Sequence, residues 1–137
     1  MARAAPSHSF AFHFAVITSM TLNWIRPNGG GWYRLLDLDF SQQYFNGLEG
    51  VYLIWHASQG PNVVRVGQGV IGDRLGKHSA DNEVLVHAKK GTLLVTWAEV
   101  RNQRDRDGIE RFLANLFNPF VGDAFPNAMP IVVNSPA

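Results

Sequence analysis

The chain has 137 residues, 46% of them hydrophobic, and its 12 Lys and Arg against 11 Asp and Glu give a formal net charge of +1. That length and apolar content fit one globular domain with a sizeable core, while the balanced charge excludes a global basic field, so any nucleic-acid surface has to be local. Cysteine is absent, which removes disulfides, thiolate zinc sites and cysteine nucleophiles together; a divalent cation would be held by carboxylate and water, the ligand set of Mg2+ or Mn2+.

Residues 1–19 combine one early arginine with an apolar run, 10–18, broken by His13. The run is too short to span a membrane and has no clear small-residue cleavage site. Met20 comes directly after it, and from Thr21 onward the chain reads as an ordinary cytoplasmic start. Residues 1–19 are therefore predicted to be an extension outside the domain, with a targeting segment as the alternative, and 20–137 a single domain. A short extended piece over 22–27 ends in the turn run Pro27-Asn28-Gly29-Gly30-Gly31. Residues 32–40 then alternate as a strand, with Leu36, Leu38 and Phe40 on one side and Asp37 and Asp39 on the other. The two pieces predict an extra N-terminal hairpin packed against the main sheet. Its aspartates read as solvated edge charges rather than metal ligands.

Residues 51–57 and 62–66 are β-branched and aromatic, which predicts two strands. Between them Gly60 permits positive φ and Pro61 restricts the entry to the second strand. Alternation puts Tyr52, Ile54 and His56 on one face and Val51, Leu53 and Trp55 on the other; in the second strand Val63 and Arg65 share a face. A helix is predicted from Val70 or Ile71 to about Ser79, after Gly67 and Gly69 loosen the crossing. On it Ile71 and Leu75 bury together, and Arg74 and His78 are neighbours with Lys77 close by. A phenol, two guanidiniums, an imidazole and a lysine on one surface suit a phosphate-containing ligand.

Residues 84–90, with His87, Lys89 and Lys90, read as a short helix or exposed connection, and 92–100 as a third strand. The charge run 101–107 reads as a solvated loop whose arginines have the chemistry to track a nucleic-acid backbone. Asp105 or Asp107 is the predicted cap of a helix with a buried stripe of Ile109, Phe112, Leu113 and Leu116, ended by Pro119. In the tail, 131–133 is a small β-prone run placed along the sheet. No repeat or linker divides the chain, so the predicted architecture is one α/β domain of α+β type, an antiparallel sheet of three central strands flanked by helices.

The ordered set Gly50-Val51-Tyr52, then Arg65-Val66-Gly67-Gln68, then Arg74 and His78, then Glu110 ahead of Pro119 resembles the GIY-YIG nuclease superfamily over residues 49–123. The resemblance implies a small GIY-YIG-like domain and a metal-dependent endonuclease that hydrolyses phosphodiester bonds of DNA. Glu110 would bind one Mg2+ or Mn2+ ion, Tyr52 would act as general base towards water, and Arg74 would stabilise the pentacovalent transition state. His78 stands where the family has a Tyr or His that orients water or phosphate. Arg65, Gln68 and Lys77 are the expected substrate-binding residues.

Three departures accompany it. Arg65 replaces the tyrosine of the second tripeptide, the step from Gly67 to Arg74 is one residue short, and Gly122 stands where the family has an asparagine, with Asp123 adjacent as a polar substitute. They keep open a non-catalytic nucleic-acid-binding relative and, below it, a protein-interaction domain. No separate DNA-recognition module is visible, so site specificity would come from a protein partner or be low.

Overall fold

Strand β3 (Glu49–His56) lies at the middle of the architecture, between two other long strands. The computed structural model describes residues 19–122 and 124–136; residues 1–18 of the expected extension, and Asp123, fall outside them. In chain order the elements are β1 (Ser19–Met20), β2 (Tyr33–Arg34), β3, β4 (Val63–Val70), α1 (Ile71–His78), α2 (Asn82–Leu85), β5 (Leu93–Glu99), α3 (Gln103–Phe117) and β6 (Val132–Val133). The protein is thus mixed α/β. Among the described residues no helix is long and apolar enough to cross a membrane.

The main sheet has four antiparallel strands in the order β2-β5-β3-β4, not three. The fourth is β2, which pairs Tyr33 with Val95 and Arg34 with Leu94. It also replaces the expected hairpin. Residues 22–27 form no strand; instead the Ile25 N–H donates to the Trp97 carbonyl and Thr96 Oγ1 donates to the Ile25 carbonyl. After Arg34 the chain turns into a 3-10 helix, Leu35–Asp37, which buries Leu35 and leaves Leu36 exposed. Propensity over 32–40 suited a strand, but only two of those residues find a partner strand, and β structure depends on that pairing. Val132 and Val133 likewise pair not with the main sheet but in parallel with Ser19 and Met20, so Ser19 of the expected extension already takes part in the fold.

Each face of the sheet is covered. On one, Ile109 and Leu113 of α3 meet Val51, Leu53, Val66 and Ala98; on the other, Ile71 and Leu75 of α1 meet Tyr52, Ile54, Val64, Val95 and Trp97. Full burial of Ile71 and Leu75 contributes about 2 kcal/mol each. Helix α3 starts earlier than its charge pattern suggested. Asn102, rather than Asp105 or Asp107, is the N-cap, accepting from the Asp105 N–H at 3.0 Å. The run 101–107 is therefore mostly first helical turns, and Arg106 within it is buried. Leu116, expected in the buried stripe, is exposed, and Phe112 is half-buried.

One irregularity sets the geometry of the site. Ile54 pairs with Arg65, but Trp55 pairs with Val63, leaving Val64 as an extra residue in a β-bulge. A bulge swaps the faces of the residues on either side of it. Val63 consequently packs on the α3 side, while Arg65 stands opposite Ile54 on the Tyr52 side. Strict alternation had put Val63 and Arg65 on one face; the bulge separates them.

Candidate active site

Strand β4 is the edge of the main sheet, and its end leads directly into α1. Tyr52 on β3 is paired with Gly67 on β4, and its ring lies across that glycine: a Cβ at position 67 would overlap the phenol. Any larger residue would displace the ring. The phenol thereby reaches α1, where its hydroxyl is 2.6 Å from His78 Nε2. Tyr52 is 1% and His78 8% exposed, so this is a buried polar pair satisfied chiefly by itself.

Burial, reinforced by Arg65 and Arg74, pulls the His78 pKa down to about 4, with Asp81 opposing. The imidazole is neutral at neutral pH. Burial also raises the Tyr52 phenol above its ordinary value, although Arg65 and Arg74 pull it down. A neutral imidazole protonated on Nδ1 takes the phenol proton at Nε2; one protonated on Nε2 donates to the phenol oxygen.

Arg65 approaches from β4. Its Nε is buried and has no hydrogen-bond partner among the described residues, and its side chain lies against Gly122, where a Cβ would stand 3.1 Å from Nη1. Gly122 has φ +109, a conformation suited to glycine. The segment holding it runs along β4, with the Val121 N–H donating to the Val64 carbonyl at 2.9 Å. Arg74 is exposed on α1 and lies over Gly69. Lys77 is exposed, and its charge also disfavours protonation of His78. Among the described residues the ion pairs are Arg101–Glu99 and Arg106–Glu49, and neither Arg65 nor Arg74 belongs to one. A buried guanidinium N–H with no partner among the described residues has the chemistry to hold an anion.

Glu110 comes from α3 to the same edge and is 9% exposed. Burial, with Asp107 adding to it, pushes its pKa up to about 7, against Arg65, Gln68 and Arg74. A carboxylate this desolvated gains from a cation beside it, and its oxygens suit a hard divalent ion. Among the described residues no group of three or more His, Cys, Asp and Glu side chains forms a ready cation cage; an ion on Glu110 would complete its shell with water and substrate oxygen, as Mg2+ commonly does.

Gln68, expected to bind substrate, is occupied within the protein. Its Oε1 accepts from Arg106 Nε at 3.0 Å and its Nε2 donates to Asp107 Oδ1 at 2.9 Å. Asp107 and Arg106 are the participants that sequence reasoning missed. Asp107 had a signal, since it precedes Glu110 by one helical turn; an arginine in a charge run carries no mark of burial. An apolar cleft of about 160 Å3 between Trp32, Trp55 and Phe117 lies on the α3 side, away from Tyr52. No known family model matches the chain, and no curated protein or solved structure matches it.

Proposed function

We propose that this chain is a GIY-YIG-type endonuclease that hydrolyses phosphodiester bonds of DNA with one Mg2+ or Mn2+ ion. The observation that supports it most is the meeting of Tyr52, His78, Arg65, Arg74 and Glu110 at one sheet edge, centred on the 2.6 Å contact between phenol and imidazole.

Arg65 and Arg74 hold the phosphate, and their charges oppose the negative charge that builds on its oxygens in the transition state. The attacking water loses its proton to the Tyr52 oxygen as the phenol proton passes to His78 Nε2. This relay avoids a free phenolate, which burial disfavours. The new O–P bond forms as the bond to the leaving oxygen breaks; that oxygen takes a proton from solvent, and His78 gives up its extra proton to solvent, so that phenol and imidazole are both neutral again. Glu110 would hold the divalent ion, which supplies Lewis-acid stabilisation of the phosphate and leaving oxygens. Sequence specificity comes from a protein partner, and a cytoplasmic setting goes with this reading.

A non-catalytic nucleic-acid binder is favoured by one observation: burial raises the pKa of the Tyr52 phenol. Incubation with labelled DNA and Mn2+, with and without chelator, separates the two. Chelator-sensitive products, lost in Tyr52→Phe, support the nuclease. Salt-dependent binding without products supports the binder.

A further inference from the structure

We propose that Arg106 is a positioning residue that fixes the Gln68 amide with its N–H edge towards the α3 carboxylates, building the cation side of the site. The inference deepens the nuclease reading and rests on it for its consequence, though its structural part stands alone. Arg106 is 4% exposed, and each part of its guanidinium is used. Nε donates to Gln68 Oε1 at 3.0 Å; Nη1 donates to the carbonyls of Val100 at 3.1 Å and Arg101 at 2.8 Å; Nη2 donates to Gln103 Oε1 at 2.8 Å and lies 3.6 Å from the Glu49 carboxylate.

A guanidinium only donates. Facing it, Gln68 has to present its carbonyl, which sends its NH2 group the other way, to Asp107 and the neighbourhood of Glu110. Gln103 is oriented by the same logic: its Oε1 accepts from Arg106, and its Nε2 donates to Asp107 Oδ1 at 2.9 Å. Two amides aligned by one buried cation thus converge on one oxygen of Asp107. They hold that carboxylate in place beside Glu110, and they remove the carbonyl of Gln68 from the set of available cation ligands. Arg106 touches neither the phosphate site nor Glu110 in any hydrogen bond among the described residues, so it acts through Gln68. Lysine cannot replace it, because an ammonium lacks the planar fork that reaches four acceptors at once.

The test combines side-chain NMR with Mn2+ calorimetry on the full chain. In Arg106→Lys the Gln68 side-chain amide signals should move to values of a free amide, and Mn2+ affinity should fall roughly ten-fold, the size seen for outer partners of metal ligands. Gln68→Met should lower Mn2+ affinity by a similar factor, and the double variant should be no worse than either single one. If Arg106→Lys does not fold, Gln68→Met decides by another readout: the Arg106 Nε–H, protected from solvent exchange in the natural protein, should lose its protection. Unchanged Gln68 signals in Arg106→Lys, additive losses in the double variant, or unchanged Nε–H protection in Gln68→Met would each overturn the proposal. Absence of Mn2+ binding by the natural protein is a different failure: it removes the nuclease reading, and the amide and Nε–H spectra alone then decide the role of Arg106.

Discussion

The Tyr52 hydroxyl stands 2.6 Å from Nε2 of His78, joining strand β3 to the last residue of α1 through one buried contact. If the pair relays a proton, both members are needed for cleavage and neither for cation binding. Tyr52→Phe and His78→Phe should each lower cleavage by at least ten-fold while leaving Mn2+ affinity within two-fold, roughly the limit of a change in an uncharged neighbour. Loss of Mn2+ binding in Tyr52→Phe would show that the phenol holds the ion rather than a proton.

Gly67→Ala tests the close approach that places the phenol. Its Cβ would overlap the Tyr52 ring, so the ring has to shift at a cost of about 1–3 kcal/mol. Chemical denaturation should show a lower midpoint with an unchanged slope. Cleavage should fall as in Tyr52→Phe.

Glu110→Gln should abolish Mn2+ binding in calorimetry with the fold intact. It also has a signature in the stability profile. The Glu110 pKa is raised to about 7, so the folded state holds this proton over a range where the unfolded chain has lost it. The contribution is fully present below the ordinary carboxylate value and is lost as pH rises through about 7. Without metal, Glu110→Gln should therefore melt higher than the natural protein at pH 8 and close to it at pH 4.

His78 works in the opposite direction. Its pKa is lowered to about 4, so its contribution is present above the ordinary histidine value and is lost as pH falls towards about 4. The two slopes offset each other in the window between the ordinary carboxylate and histidine values. In Glu110→Gln the offset is gone, and melting temperature should rise with pH across that window. A profile as flat as that of the natural protein would show that His78 is not buried neutral.

Arg65→Tyr restores the residue type of the resembling family at the largest departure. A carboxylate partner would make Arg65 a plug in the site, but no ion pair holds it and its Nε is unpartnered among the described residues. Nucleic-acid affinity should fall, and the slope of log affinity against log salt should drop by about one for the lost phosphate contact. Raised cleavage with undiminished binding would identify Arg65 as a blocker.

Local chemistry determined a good part of this protein. Period-two alternation put Tyr52 and Ile54 on one face and Val51 and Leu53 on the other, and both sets pack as that period requires. Helical spacing placed Ile71 and Leu75 together in the core and His78 one turn past Arg74. These features are set by repeats of two and 3.6 residues, which are properties of the backbone itself. Tertiary structure decided the rest. Tyr33 and Arg34 joined the main sheet because Leu94 and Val95 offered an unpaired edge. Arg65 faces Tyr52 because a bulge at Val64 reversed the register, and a single inserted residue leaves no mark in composition or period. Arg106 is buried because Gln68, Gln103 and two carbonyls surround it. Acceptors supplied by separate segments meet only when the chain is folded, so the burial of a charge they satisfy is not written at any one position of the sequence.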